Sequence, residues 1–449
     1  MPEFLRLIPP DEARNQLLSY LSGPFEPGQG RTPIEFELIN TALSIGRVTA
    51  EDIIASHPLP EFPRSTVDGY AVRAEDTFGA TDSLPAYLNM IGEVQMGKPP
   101  LFDLKSGQCE LIHTGGMVPN GADSVVMLEY TQRVAESTSK GEIRSNEIEI
   151  SRAVAEGENV IIEGEDIAQG SVILPKGRRI GPAEIGGLMA FGYTTLRVTR
   201  KIRVGLISSG DEIVSPDTLP NKSQVRDVNT YTLASLVTKW GGEPVLYGVV
   251  PDQKARLKSI AEQALAECDL VIISAGSSAG TRDMTAEVID SLGSPGVLVH
   301  GINTKPGKPT ILGVCSGKTV IGLPGNPVSA LVNGYLFVVP VIEKLSGLTF
   351  DNTNGAPLRP SIPARLTVNL PSQAGREDWW PVKLKPLSAS DNPTSTLSQD
   401  VDLIDQWQAE PIFGKSNLIF TLVAANGLIR IPPEVTGLGA GERVQVMLF

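Results

Sequence analysis

Three short segments gather residues able to bind a polyanion together with a divalent cation. Ala275–Asp283 (AGSSAGTRD) supplies small residues at Gly276, Ser278 and Gly280, where a ligand can approach the backbone, and it ends in the carboxylate of Asp283. Lys305–Pro309 (KPGKP) presents two ammonium groups, Lys305 and Lys308, on one stiff loop. Pro306 and Pro309 push the residues before them out of helical geometry, and Gly307 provides the turn between them. Gly322–Pro327 (GLPGNP) adds a third loop of turn residues, Pro324, Gly325 and Asn326. Free N–H groups and lysines suit an anion, and a carboxylate suits Mg²⁺, so the three loops point to a polyanionic ligand held with Mg²⁺. One Gly-rich turn after a strand is ordinary loop chemistry. Three in close succession are harder to read that way.

The elements that must position these loops are strands. Asp269–Ser274 (DLVIIS) reads as a strand buried on both faces, and Thr319–Ile321 precedes GLPGNP. Ile202–Val214 is a core strand opening into a small-residue loop with Asp211 and Glu212, and Leu246–Asp252 ends at Asp252. Helices are predicted at Thr230–Trp240, at Gln253–Cys268 and from about Met284 onward, with another at GPAEIGGLMAFG. Strands alternating with helices predict a parallel sheet with right-handed crossovers, whose carboxyl-end loops share one edge. That edge brings Glu212, Asp252, Asp283, Lys305 and Lys308 together. Taken singly, each acid also reads as solvated surface.

The rest of the chain is less regular. Pro10–Leu21 has helical spacing, and Glu35–Ala42 reads as a second helix. The proline-dense stretch His57–Val72 contains Asp68 before Gly69, which by itself reads as a turn aspartate. Pro85–Ile150 is patterned as an all-β unit, with a ligand-facing turn at Thr114–Gly116 and an exposed hairpin at Ala135–Asn146. Asp166 lies in the turn GEDI. After Phe350, strand-like segments at Arg365–Leu370, Trp380–Leu384, Asn417–Val423 and Arg443–Leu448 predict a small β-barrel or sandwich. Trp379 and Trp380 read there as packing residues, and Arg376 as a surface arginine within reach of an anion.

With 449 residues the chain exceeds one hydrophobic core and predicts about three domains. Its net charge of −13 argues against nucleic acid as a partner, so an anionic ligand must meet local positive charge. Cys109, Cys268 and Cys315 have no metal spacing and read as small buried hydrophobes, and His57, His113 and His300 are too scattered for a metal cluster. Acidic residues occupy the N-terminal stretch where a signal peptide is basic, and the apolar run Tyr335–Ile342 is too short to span a bilayer. A cytoplasmic protein without a membrane partner is expected.

The segments STVDGYAV, HTGGMVPNGADSVVMLE, GEDI, SSGDEI, RDVN, AGSSAGTRD, KPGKP and LPGNPVSA, in this order over nearly the whole chain, resemble the molybdopterin molybdenumtransferases, the family of MoeA and the gephyrin E domain. The resemblance implies four domains: an elongated one from 1–55 with 153–179, a β-rich insertion at 56–152, a MogA-like α/β domain at 180–348 and a C-terminal β-barrel at 349–449. It implies a homodimer with its cleft between the subunits, and a reaction in which adenylylated molybdopterin and molybdate, with Mg²⁺, give molybdenum cofactor and AMP. By the same resemblance Lys305 and Lys308 contact oxyanion with Arg376 and Ser416, while Asp283, Asp252 and Glu212 bind Mg²⁺ and nucleotide. Pro306, Gly307, Pro324, Gly325 and Asn326 shape the substrate site, and Asp68, Thr114 and Asp166 form the facing wall from the other subunit. Where the family has Gly-Gly-Val-Ser-Val-Gly, this chain has Ala275 to Gly280, and Thr66 and Ser209 replace an alanine and a threonine. Tungstate in place of molybdate, a MogA-like adenylyltransferase acting as partner or as this chain's own activity, and a gephyrin-like scaffold are the other readings.

Overall fold

The computed structural model describes residues 7–22, 35–134, 146–276, 279–349, 359–387 and 406–449, with the backbone alone for 279, 281 and 282. Helix α1, Pro10–Ser22, carries Asp11 and Glu12 in its first turn, where the helix dipole favours acids. Ala13, Leu17 and Leu21, four residues apart, are buried against the core of the α/β sheet described below. The helix predicted at Glu35–Ala42 is instead a strand, Phe36–Asn40, antiparallel to Thr195–Thr199, followed by one 3₁₀ turn at Thr41–Leu43. The local pattern fits either period, and the distant partner strand decides between them.

A six-stranded sheet follows in the order Ser124–Met127, Gly69–Val72, Gln108–Ile112, Ala86–Glu93, Glu147–Ile150, Thr131–Arg133. It begins earlier than the pattern predicts, because Gly69 opens a central strand paired to Ile112 on one side and Met127 on the other. A methyl group on Gly69 would collide with the Val126 carbonyl, so the Asp-Gly pair marks a strand entrance and not a turn. Most of the predicted hairpin at Ala135–Asn146 lies outside the described residues. Helix α2, Pro182–Ala190, then leads to the α/β sheet.

That sheet contains β1 (Arg203–Ser209), β2 (Glu243–Val250), β3 (Leu270–Ala275), β4 (Pro295–His300), β5 (Ile311–Cys315) and β6 (Lys318–Pro324), in the order β2-β1-β3-β6-β5-β4. β2, β1, β3 and β6 are parallel, but β5 runs antiparallel to both its neighbours, so the sheet is mixed and not purely parallel as expected. The cause is the two-residue turn between β5 and β6, where Ser316 at φ 51° and Gly317 at φ 78° adopt the left-handed geometry a tight hairpin needs. One face packs under α1 and α3 (Asn229–Lys239), through Leu206, Ile272 and Ile321. The other packs under α4 (Lys254–Glu267) and α5 (Ala279–Asp290), through Ile207, Ile273 and Val320. Each fully buried Leu or Ile adds roughly 1.5–3 kcal/mol. Helix α6, Pro327–Leu345, is long and apolar enough to cross a membrane, but 83% of its apolar window is buried in this core. A π-turn at Gly334–Val338 lies within it. The apolar run is thus longer than the sequence pattern indicates, and it forms the centre of the fold.

The C-terminal part is a closed five-stranded barrel of β7 (Ser361–Leu366), β8 (Glu377–Pro386), β9 (Trp407–Pro411), β10 (Gly427–Ile431) and β11 (Arg443–Leu448), in the order β8-β9-β7-β11-β10 and back to β8. Asn417–Val423, expected as a strand, is a loop entering a short helix, Phe420–Val423. The strand that closes the barrel there is β10, which follows directly. Thr304–Lys305 also pairs with Glu377–Asp378, tying the KPGKP loop to the barrel.

Candidate functional site

Because β5 is reversed, the loop joining β4 to β5 emerges on the same edge as the carboxyl ends of β1, β2, β3 and β6. KPGKP lies in that loop, and several contacts hold it. The Thr304 hydroxyl donates to the Glu377 carbonyl at 3.1 Å, Ile302 N donates to the Lys308 carbonyl at 2.8 Å, and the Thr310 hydroxyl donates to the Gly307 carbonyl at 2.7 Å. From behind, the fully buried Asn333 of α6 donates through Nδ2 to the carbonyls of Pro306, at 3.1 Å, and Ser329, at 2.8 Å. Gly307 has φ +113° and lies against that same amide, leaving no room for a Cβ. Asn333 escapes sequence reasoning, although a lone polar residue in the apolar run ALVNGYLFVV is a visible anomaly.

The loop borders a cleft of about 810 Å³ between the α/β sheet and the barrel. Of the sequence-predicted residues, Lys305, Pro306, Gly307, Lys308, Pro324, Asn326, Arg376 and Ser416 all line it. Asn326 Nδ2 donates to Ser416 Oγ at 3.1 Å, and Val328 N donates to the Ser416 carbonyl at 3.0 Å, so the sheet edge holds the barrel loop in place. Arg376 is not a free surface arginine. Its Nε and Nη2 contact the two oxygens of the fully buried Asp378 at 2.7 and 2.9 Å, and this contact raises the guanidinium pKa. Lys415, Trp379 and Trp380 also line the cleft and were not anticipated as site residues. The two tryptophans pack as expected, Trp379 against the α/β core and Trp380 against the barrel core, and border the cleft as well. Lys415 is signalled only by its place beside Ser416. Lys305 Nζ lies 5.6 Å from the centroid of the Trp380 ring. Among the described residues none of the three lysines has a carboxylate partner, so the cleft is strongly positive in a chain of net charge −13.

Asp211 and Glu212 follow β1 and Asp252 follows β2 as expected, but α5 begins at Ala279 and not near Met284, so Asp283 lies inside the helix and not on the preceding loop, and the acids do not form one centre. The Ser209 hydroxyl donates to Asp252 Oδ1 at 2.7 Å, and Asp252 N donates to Asp211 Oδ1 at 3.1 Å. Glu212 turns back over its own loop, its Oε2 only 3.0 Å from where a Cβ on Gly210 would sit. Asp283 is exposed in α5, and Gly280 has open space where a side chain would be. Ser278 lies outside the described residues. Among those residues no three His, Cys, Asp or Glu side chains converge to hold a metal, so Glu212, Asp252 and Asp283 do not form a preassembled triad. Ala275 is 4% exposed at the end of β3, so its extra methyl is buried rather than set in the cleft. Gly325 packs so closely on it that a Cβ there would lie 2.8 Å from the Ala275 carbonyl. Asn229 ties these loops together, donating to Ser274 Oγ and to the Gly325 carbonyl, both at 2.8 Å.

A separate cluster forms on the β-rich sheet. The pairing of Gly69 with Ile112 sets Asp68 beside Thr114, whose N and Oγ1 donate to Asp68 Oδ1 at 2.7 and 3.1 Å. These bonds, the backbone one foremost, hold the Asp68 carboxyl below its ordinary pKa. His113 stands alongside, with Nε2 3.0 Å from Glu93 Oε1. Asp166 is exposed in its turn, where Asp166 N donates to the Leu59 carbonyl at 3.1 Å. Among the described residues no hydrogen bond or ion pair joins Asp68, Thr114 or Asp166 to the lysine cleft.

Comparison with known proteins covers all of these regions. Residues 8–192 match the family model "MoeA N-terminal region (domain I and II)", residues 205–344 the "Probable molybdopterin binding domain" and residues 363–449 the "MoeA C-terminal region (domain IV)". The molybdopterin molybdenumtransferase 2 of Mycobacterium tuberculosis is 32% identical over 405 residues, covering 89% of this chain and 92% of that protein. The chain belongs to the MoeA family. The molybdopterin molybdenumtransferase of Haemophilus influenzae is 34% identical over 369 residues, 82% of this chain and 84% of its own length. Two crystal structures of the MoeA molybdopterin biosynthesis protein of Pyrococcus horikoshii superpose over 99% of this chain. One has a TM-score of 0.73 at 35% identity over 99% of its length, the other 0.78 at 30% over 100%. All three MoeA regions contribute to the sites above: the first holds Asp68, Thr114 and Asp166, the second the strand-end acids and KPGKP, and the third Arg376, Lys415 and Ser416.

Proposed function

We propose that this protein inserts molybdenum into adenylylated molybdopterin, consuming molybdate with Mg²⁺, releasing AMP and forming molybdenum cofactor. The observation that carries this reading is the cleft with three lysines lacking a carboxylate partner among the described residues. Molybdate is a dianion and the adenylate-linked phosphates are anionic, so bringing them together costs repulsion that preorganised ammonium groups lower. Lys305 and Lys308 hold the oxyanion on their stiff loop, and Lys415 adds charge from the barrel. Ser416 Oγ accepts from Asn326, which leaves the serine hydroxyl hydrogen free to donate to an anion oxygen. Arg376, aimed by Asp378, donates its remaining N–H groups in the same way. Gly276, Ser278 and Gly280 let the nucleotide phosphates approach the backbone.

The strand-end acids fit Mg²⁺ as that ion is usually held, by one or two carboxylates with phosphate oxygens and waters completing the octahedron. Asp252 and Asp283 are the pair in this role, with Glu212 orienting nucleotide. When bound, Mg²⁺ supplies Lewis-acid polarisation of the phosphorus. Cys109, Cys268 and Cys315 are buried, which agrees with a substrate that brings its own dithiolene sulfurs. Asp68, Thr114 and Asp166, exposed and apart from the cleft of their own chain, serve as the facing wall of a second copy's cleft. The working protein is then a cytoplasmic homodimer of four-domain subunits (1–55 with 153–179, 56–152, 180–348, 349–449), fed by a MogA-like adenylyltransferase.

The deciding experiment follows AMP release from adenylylated molybdopterin by the purified protein with Mg²⁺ and either no oxyanion, molybdate or tungstate. Stimulation by one oxyanion, lost in Lys308→Ala, supports insertion and names the metal. An intact dimer that releases no AMP under any of these conditions would leave binding as its role.

A further inference from the structure

The cleft is larger than an inorganic oxyanion requires. Its volume is about 810 Å³, whereas a tetrahedral oxyanion fills the space of only a few waters at ~30 Å³ each. The lining also includes the side chains of Trp379 and Trp380 and the rings of Pro306, Pro309, Pro324 and Pro381. Trp380 is already engaged, with the Lys305 ammonium 5.6 Å from its ring centroid and Phe413 edge-on at 5.5 Å. Among the described residues no ring or cation is stacked on Trp379.

Trp379 is nonetheless held in place. Residues two apart on a strand share a face, which lets the Glu377 carboxylate reach the neighbouring indole. Trp379 Nε1 donates to Glu377 Oε1 at 2.7 Å. Glu377 is 2% exposed, and its other oxygen accepts from Arg430 Nε at 2.7 Å. Arg430 Nη2 lies 2.6 Å from that same oxygen and 3.1 Å from Asp11 Oδ2 on α1. The backbone of Glu377 continues this anchoring, since its N–H donates to the Asn303 carbonyl at 3.1 Å, beside KPGKP. A buried carboxylate with its charge paired and its second oxygen committed to an indole N–H fixes both the tilt and the depth of the ring.

We propose that Trp379 is the stacking wall for a planar fused nitrogen heterocycle of the substrate, and that Glu377 is the positioning residue that sets its orientation. The inference rests on the insertion reaction proposed above, whose substrate carries two such rings, a pterin and an adenine. Stacking of a base on an aromatic side chain is worth roughly five- to a hundredfold in affinity, enough to hold the organic part of the substrate while the lysines hold the oxyanion.

Isothermal titration of the full-length protein with pterin, with AMP and with molybdate, in separate experiments, tests this. Wild type binds one of the two rings, and which one it binds identifies the ring on Trp379. Trp379→Leu weakens that binding about tenfold or more, Trp379→Phe keeps most of it, and Glu377→Gln weakens it about three- to tenfold. Molybdate affinity moves less than about twofold in these variants. In turnover, Glu377→Gln raises KM for the adenylylated substrate far more than it lowers kcat, whereas a merely structural defect lowers kcat by reducing the folded fraction. The proposal is overturned if wild type binds molybdate but neither ring. It is also overturned if folded Trp379→Leu binds the ring as tightly as wild type. Loss of molybdate binding and AMP release in wild type would instead remove the reaction on which the inference rests, and both would fall together.

Discussion

Replacing Gly307 by alanine strikes the KPGKP loop at its most constrained point. The residue has φ +113°, and its added methyl would fall on Asn333 Nδ2, with the side-chain carbonyl carbon of Asn333 at 2.6 Å. Two costs follow. Backbone strain in so sparsely populated a region is about 1–3 kcal/mol. Displacing the Asn333 amide breaks its bonds to the Pro306 and Ser329 carbonyls, at about 0.5–1.5 kcal/mol each. The sum is roughly 2–6 kcal/mol. Asn333→Ala alone loses the same two bonds and leaves a small cavity, about 2–4 kcal/mol. In the double variant the methyl has nothing left to displace, so its total falls short of the sum of the singles by about 1–3 kcal/mol. Urea unfolding of the three variants and wild type, followed by hydrogen exchange in β5 and α6 to isolate the α/β unit, measures this coupling. The half-saturating molybdate concentration should rise in both single variants as Lys305 and Lys308 lose their fixed spacing. Additivity within about 0.5 kcal/mol would show that the glycine and the asparagine act independently, and the clamp argument would fail.

Three other outcomes are expected. Lys415→Ala should weaken molybdate binding about three- to tenfold at low salt, with the difference shrinking as ionic strength rises, because an exposed charge is screened; equal affinities at low salt would remove Lys415 from the site. Asp68 has a depressed folded pKa because Thr114 bonds its carboxylate, so its contribution to stability is present above the ordinary carboxylate pKa and is lost as pH falls through the folded value. Thr114→Ala should therefore move the Asp68 titration, read by carboxyl NMR, upward but not fully, since the larger backbone bond remains. Burial pushes the Cys109 and Cys315 thiols up to about 12. Iodoacetamide at pH 8 should leave both unmodified in the native protein and alkylate both in urea, and rapid native labelling of either would contradict the packing around them.

What was legible in the sequence follows from which interactions are local. Proline and glycine in KPGKP and GLPGNP dictate backbone shape within a few residues, so those loops and their lysines could be read directly. The alternation of strand and helix gave the edge on which they meet. The reversal of β5 is also encoded locally, in the Ser316–Gly317 hairpin, but that turn sits between two apolar runs that suit parallel strands equally well. Other features depend on partners far along the chain. Phe36–Asn40 becomes a strand only through Thr195–Thr199, Asn333 matters only because Gly307 is folded against it, and Arg376 is fixed by an acid that looks like any strand residue until it is buried. Asp211, Glu212 and Asp252 lie at strand ends as the sequence indicates, whereas Asp283 is taken into α5, and the sequence does not show that Glu212 turns back toward its own loop while Asp211 takes the place beside Asp252.

The position of α1 has a consequence for how the chain is made. Its apolar face packs into a core that includes Leu312 and Val314 of β5 and Phe337 and Ile342 of α6. Those residues leave the ribosome long after the helix does. From Ser22 to Leu345 is about 320 residues, which at 5–20 residues per second is on the order of 15–60 s of synthesis. The Asp11–Arg430 contact with the barrel waits longer still. Throughout that interval the core that covers Leu17 and Leu21 is incomplete. A helix made this early is among the last elements to dock, and a chaperone that shields it while the α/β sheet assembles would act on a segment exposed to misassociation.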